Sequence, residues 1–218
     1  MKQNQVNLNK GENMKVKFWF DVTCPWAYVT SRWYTKVANE LNISTQWEIF
    51  SLSIKNRSNN KNYSDEMKAK HFKSLRVIRM IQAVKNNLDN EDVYKLYSEI
   101  GKQFHVDKNE IDKDLGKILS VCNIDESYLS YMDDEKLDKE IEQSTQNAVD
   151  VCGDDVGVPI IHLDDGDNQN AIFGPIISEV PNLEDSIKLW EHFKYVCFNG
   201  NVAELKRKRS IPLNPTVD

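Results

Sequence analysis

The sequence predicts an α/β fold in which a β-α-β unit and a β-β-α unit share one sheet, with an all-helical block inserted between them. Three observations carry this. Strand-like runs occur only towards the two ends of the chain. Between residues 57 and 149, apolar side chains recur every three or four positions instead. A cysteine followed by proline sits where the first strand gives way to the first helix. Length agrees, because 218 residues allow one large domain or a domain carrying a substantial insertion. The expected division is a disordered polar tail over 1–14, a discontinuous sheet domain over 15–56 and 150–218, and a helical insertion domain over 57–149.

The β-branched and aromatic run Val16-Lys17-Phe18-Trp19-Phe20 suits a buried strand. Asp21-Val22-Thr23-Cys24-Pro25 breaks it, and helical spacing of Tyr28, Val29, Trp33, Val37, Ala38 and Leu41 predicts a helix from Trp26 to about Leu41. Thr45 to Phe50 alternates polar and apolar residues and reads as a second strand. From Asn56 onwards Lys, Asp, Glu and Asn dominate. The stripes Met67-His71-Ser74-Leu75-Ile78-Ile81, Val93-Leu96-Tyr97-Ile100, Ile111-Leu115-Ile118-Leu119 and Leu137-Ile141-Ala148 predict four or five helices. Strand signals resume at Val158–Leu163 and Ala171–Phe173, and Pro181 precedes a last helix from Leu183 to about Val196. This order builds one thioredoxin-like sheet with a helical insertion. A doubly wound sheet would need strands spread through the helical block, and none is evident.

Charge and composition narrow the function. Lys and Arg number 28 against 34 Asp and Glu, a net charge of −6 with a pI near 5.3, which suits neither nucleic acid nor an anionic membrane. Apolar residues at 40% supply a core, so wholesale disorder is not expected. The first thirteen residues hold no apolar run of the roughly 7–15 residues that a secretory signal needs. No stretch approaches the roughly 20 apolar residues of a membrane span. A cytoplasmic protein is expected. The four cysteines are too scattered for a disulfide scaffold, and His71, His105, His162 and His192 lack metal-ligand spacing, so no metal is expected. Asp164-Asp165-Gly166-Asp167-Asn168 lacks the glutamate of a calcium loop and reads as a hairpin turn.

Cys24 is the candidate nucleophile. Pro25 suits the first position of a helix, where its missing N–H would be unpaired anyway. The sulfur then faces free N–H groups and the positive end of the helix dipole, which predicts a thiol pKa below about 7.5. Dithiol redox sites carry a second cysteine three residues on, which resolves the mixed disulfide. Here that position is Ala27, so a second thiol from solution must do it. Cys122, Cys152 and Cys197 sit in helix-patterned stretches and read chiefly as buried apolar residues. Gly157-Val158-Pro159 opens the third strand. In a thioredoxin-like fold this proline is cis and faces the cysteine loop, with the Val158 backbone open to an extended substrate. Trp26 and Trp33 could line an aromatic pocket, and Lys206 in the run Lys206-Arg207-Lys208-Arg209 could clamp an anionic thiol or carboxylate.

Phe18-Trp19-Phe20-Asp21, Cys24-Pro25-Trp26 and Thr30-Ser31-Arg32-Trp33, followed by Ser51-Leu52 and Asn56, resemble the mycothiol-dependent nitroreductase branch of the DsbA family. Gly153 to His162, Phe173-Gly174-Pro175, Pro181, Leu189-Trp190 and Glu204-Leu205-Lys206-Arg207 extend the resemblance from about Lys15 to Pro215. It implies thiol–disulfide chemistry with a low-molecular-weight thiol (mycothiol, bacillithiol or glutathione) on disulfide, nitro or other electrophilic substrates. It also implies catalytic Cys24, Pro25, Trp26, the Ala27 position and Pro159, with Val158, Trp33, Asn56 and Lys206 against substrate, a helical lid over the cysteine, and a homodimer as one arrangement. Ala27 departs from the group's second cysteine, as a natural monothiol variant or an engineered change. Two rival readings share the fold: an enzyme like the kappa-class glutathione transferases and isomerases, which activates a thiol without oxidising it, and a binding module that has lost catalysis.

Overall fold

A computed structural model describes residues 14–57 and 64–216, apart from the Met67 side chain. Most of the tail expected over 1–14 lies outside the described residues. Met14 does not belong to it, because its side chain is buried in the main core. Strand β1, Lys15–Phe20, alternates exposed lysines with buried Val16 and Phe18 and then runs continuously apolar through Trp19 and Phe20. That pattern fits an interior strand. β1 lies between β2 (Ser44–Ile49), which it pairs in parallel, and β3 (Ile160–Asp164), which it pairs antiparallel. β4 (Gln169–Phe173) completes the order β2-β1-β3-β4.

Helix α1, Pro25–Leu41, returns the chain from β1 to β2 and ends where Asn42 takes a left-handed conformation (φ 53°). It packs against α7, Leu183–Phe198, through Trp33, Trp190 and Phe193. Between β2 and β3 the chain forms α2 (Leu52–Lys55), α3 (Asp65–Asn87), α4 (Asn90–Gly101), α5 (Leu115–Val121) and α6 (Asp138–Cys152). A wide helical turn, Lys102–Val106, extends α4, and two tight helical turns precede α6. Stacked rings help to tie this block to the sheet. Phe20 stacks on Tyr97 with ring centres 3.9 Å apart, and Trp47 stacks on Tyr94 at 4.7 Å. Within the block, Arg79 grips Asp138 with Nε at 2.7 Å and Nη2 at 2.9 Å, joining α3 to α6.

The later strands begin at different residues from those predicted. β3 starts at Ile160 rather than Val158: Pro159 has no N–H to give a ladder, although its carbonyl still accepts the Gly174 N–H at 2.9 Å, and the Val158-Pro159 peptide is cis. β4 starts two residues before Ala171. The intervening turn is tight: Asp165 Oδ1 accepts the Asp167 and Asn168 N–H groups, and Gly166 supplies the positive φ of 92°. Gly174-Pro175 is a second cis peptide, and its Pro175 carbonyl accepts the Thr30 hydroxyl at 2.8 Å. No helix among the described residues is long and apolar enough to cross a membrane.

Candidate active site

Cys24 caps α1. Its sulfur accepts the Ala27 N–H at 3.4 Å, Pro25 takes the first helical position, and the Cys24 N–H closes a turn onto the Asp21 carbonyl at 3.0 Å. The thiol donates to the Val158 carbonyl at 3.3 Å, which brings the α1 cap and the cis-proline turn together. The sulfur thus sits between the backbone donors at the start of α1 and one backbone acceptor. Around it lies a small apolar cluster: Trp19, Ala27, Phe50, Ala148, Val149, Val158 and Ile160, with Trp26, Leu52 and Cys152 at its margin.

Two polar side chains shape the loop from below. Asp21 is fully buried. Its Oδ1 accepts from the Thr23 N–H (2.8 Å) and hydroxyl (2.6 Å), and its Oδ2 accepts from the Leu52 N–H (2.8 Å). One carboxylate therefore fixes the loop after β1 to the start of α2. Burial pushes its carboxyl pKa up, and the Thr23 and Leu52 hydrogen bonds oppose the rise. His105, on the turn that extends α4, places Nε2 2.9 Å from the Val22 carbonyl and is held neutral, its pKa lowered by burial to about 4. Neither residue stood out in the sequence as functional. The signals were an acidic residue directly after a buried strand and a histidine flanked by Phe104 and Val106.

The predicted low pKa of Cys24 is not found. Burial pushes the thiol up to about 11, and the charge of Asp21 adds to the rise. The Ala27 and Trp26 N–H groups and the cation of Arg209 pull the other way without overcoming it. The physical reason is access. Only 8% of the residue is exposed, so the cost of stripping water from a thiolate exceeds what two N–H groups return.

The remaining candidates separate. Trp26 is half-buried beside the sulfur, and Ala27 is fully buried, its methyl group at the position of the absent second thiol. Pro159 and Val158 join the site as described. Trp33 does not. It is wholly buried, its indole N–H donates to the Ser186 carbonyl at 3.2 Å, and it packs on α7, so it serves the core rather than a substrate pocket. Asn56 ends α2, its backbone N–H bonded to the Leu52 and Ile54 carbonyls; no side-chain contact links it to Cys24 among the described residues. Lys206 is exposed and forms no ion pair or side-chain hydrogen bond with the site among the described residues. Arg209 touches the site in its place, with its guanidinium carbon 4.5 Å from the centre of the Trp26 ring. The other thiols are also raised by burial, Cys122 and Cys152 to about 11 and Cys197 to about 12.

The family model of the Rv2466c-like proteins, the mycothiol-dependent nitroreductase Rv2466c, matches residues 23–207, from the start of the cysteine loop to the basic run. The chain belongs to this family. Among curated relatives, the uncharacterized protein Rv2286c of Mycobacterium tuberculosis is 27% identical over 198 residues, covering 89% of this chain and 82% of its own. Among solved structures, the cytosolic disulfide reductase DsbM from Pseudomonas aeruginosa superposes with a TM-score of 0.57 at 10% identity, over 84% of this chain and 99% of that one. A 2-hydroxychromene-2-carboxylate isomerase gives 0.59 at 14% identity, over 84% and 96%. At such identities these two establish the fold alone. The fold is thioredoxin-like and of the DsbA kind, as the element order predicts. The family is one of thiol-dependent oxidoreductases.

Proposed function

We propose that this Rv2466c-like protein is a thiol–disulfide oxidoreductase in which Cys24 works without a partner cysteine and a low-molecular-weight thiol completes each turnover. One observation carries the reading: Cys24 Sγ lies between the Ala27 N–H and the carbonyl of the cis-bonded Val158. In the first step the Cys24 sulfur gives up its proton and attacks one sulfur of a disulfide R–S–S–R′. The Cys24–S–S–R bond forms, the old S–S bond breaks, and R′–S⁻ leaves and takes up a proton. The bonded sulfur then has no hydrogen for Val158, whose carbonyl becomes free to accept an N–H from the attached substrate. A second thiol from solution attacks the R sulfur, and Cys24 departs as thiol. Ala27 offers no internal route. Reduction of a nitro group takes electrons in pairs, and one cysteine supplies a pair only by joining an external thiol as a disulfide.

Intact-mass measurement after treatment with excess glutathione disulfide tests this. One glutathione adduct on Cys24 is expected, persistent until external thiol is added and absent from Cys24→Ser. In Ala27→Cys the adduct gives way to an internal disulfide. An unmodified Cys24 would refute the reading.

The raised thiol pKa favours a second reading on the same atoms. A neutral Cys24 is a hydrogen-bond donor and, by turning its one S–H from the Val158 carbonyl to a bound thiol cofactor, can hold and polarise a thiol that adds to an electrophile without net oxidation. Formation of a thioether conjugate with no accompanying disulfide would select this reading over the first.

A further inference from the structure

Lys206, Arg207, Lys208 and Arg209 stand in succession on the exposed chain that follows α7, and none pairs with a carboxylate among the described residues. Among those residues, lone cations without a carboxylate, such as Lys15 and Lys36, occur elsewhere in this chain of net charge −6, but here four stand in succession and concentrate positive charge on one segment. Beyond the run the chain is fixed to the body of the protein, where the Asn214 N–H donates to the Ser178 carbonyl at 2.7 Å. Arg209 lies over Trp26, two residues beyond Cys24, and its guanidinium N–H groups have no hydrogen-bond partner among the described residues. Asp154 and Asp155, on the segment leading to Val158, are exposed and form no ion pair with the basic run.

We propose that Arg209, backed by the rest of the basic run, is an anion-binding arm that selects low-molecular-weight thiols and disulfides bearing a carboxylate. Cation–π contact holds the guanidinium beside the sulfur, and N–H groups not used by that contact can take a carboxylate in forked fashion. The inference rests on the thiol–disulfide reading above and specifies its thiol. Mycothiol is a sugar amide without a carboxylate, whereas glutathione and bacillithiol carry two each. A carboxylate seated at Arg209 also places its charge on the surface, away from the buried Asp21.

The test uses the full chain and two disulfide probes, the dianionic 5,5′-dithiobis(2-nitrobenzoate) and the neutral 2,2′-dithiodipyridine, with the Cys24→Ser rate subtracted. The readout is the ratio of anionic to neutral rate, in which any change in thiolate population cancels. In Arg209→Gln this ratio is expected to fall about tenfold, as for loss of one charge-assisted contact. Arg209→Lys should restore most of it, and about 0.5 M salt should lower it in the parent chain but little in Arg209→Gln. An unchanged ratio refutes the arm while leaving the Cys24 chemistry standing, and an equal loss with both probes refutes it by making Arg209 a mere support for Trp26. If Cys24 reacts with neither probe, the oxidoreductase reading fails and the arm with it.

Discussion

At the scale of single residues, the site is governed by the contest between burial and backbone hydrogen bonding at Cys24. The position of this cysteine was legible in the sequence, because a strand, a Cys-Pro pair and a helical period can be arranged in few ways. Its ionisation was not legible. The helix N-terminus contributes N–H groups that any sequence reading can foresee, whereas the desolvation comes from Trp19, Phe50, Val149 and Val158, which only folding brings together. Asp21 adds a negative charge against the thiolate. Replacing Asp21 by Asn removes that charge, so the Cys24 pKa should fall from about 11. Removing the Arg209 cation should move it the other way. Iodoacetamide alkylation rates across pH, followed by mass at Cys24, would show the two opposed displacements. A shift in the same direction for both variants would contradict this electrostatic account.

At the scale of elements, the close approach of α4 to α1 puts His105 under the cysteine loop. Gly101, the last residue of α4, makes this approach possible: a Cβ there would overlap the Tyr28 ring, which is itself buried. Tyr28 then packs on His105 with ring centres 5.2 Å apart. Gly101→Ala should therefore cost about 1–3 kcal/mol, the range for overpacking a filled interior. It should also displace the turn bearing His105, so Cys24 should become easier to alkylate while the helical content stays near that of the parent. Denaturant unfolding together with the alkylation rate would check both. A variant of unchanged stability and reactivity would show that the ring simply turns aside. Nothing in the sequence marked this glycine, since a tight contact between elements has no local signature. The helices themselves were legible from stripes of apolar residues, of which Val93-Leu96-Tyr97-Ile100 is buried throughout. The basic run was visible too, but its order along the tail does not reveal that Arg209 rather than Lys206 meets Trp26.

At the scale of the whole molecule, the sheet and the helical block share one continuous core, through Phe20 against Tyr97 and Trp47 against Tyr94. The element order was enough to foresee the sheet, but not this shared core, because pairings between distant segments leave no periodicity to read. Coupling of this kind makes acid sensitivity a property of the entire fold. His105 links the two parts through the Val22 carbonyl and has a folded pKa of about 4, below the ordinary 6.5 of an unfolded chain. Between these values the unfolded state binds the extra proton, so stability rises with pH across the window and is lost as pH falls through it. His105 accounts for about 2 kcal/mol of that loss at pH 5 and about 3 at pH 4. His71 and His162, also lowered by burial, act in the same direction, whereas the raised carboxyl of Asp21 acts against them. Comparison with His105→Gln removes these shared contributions. The parent should lose more stability than the variant between pH 7 and 4.5, measured by urea unfolding. Tryptophan fluorescence from the sheet and the helices α1 and α7, and circular dichroism from all the helices, should report one transition at each pH. Equal losses in the two proteins would mean that His105 is already protonated in the fold, and separate transitions would mean that the shared core does not bind the helical block to the sheet.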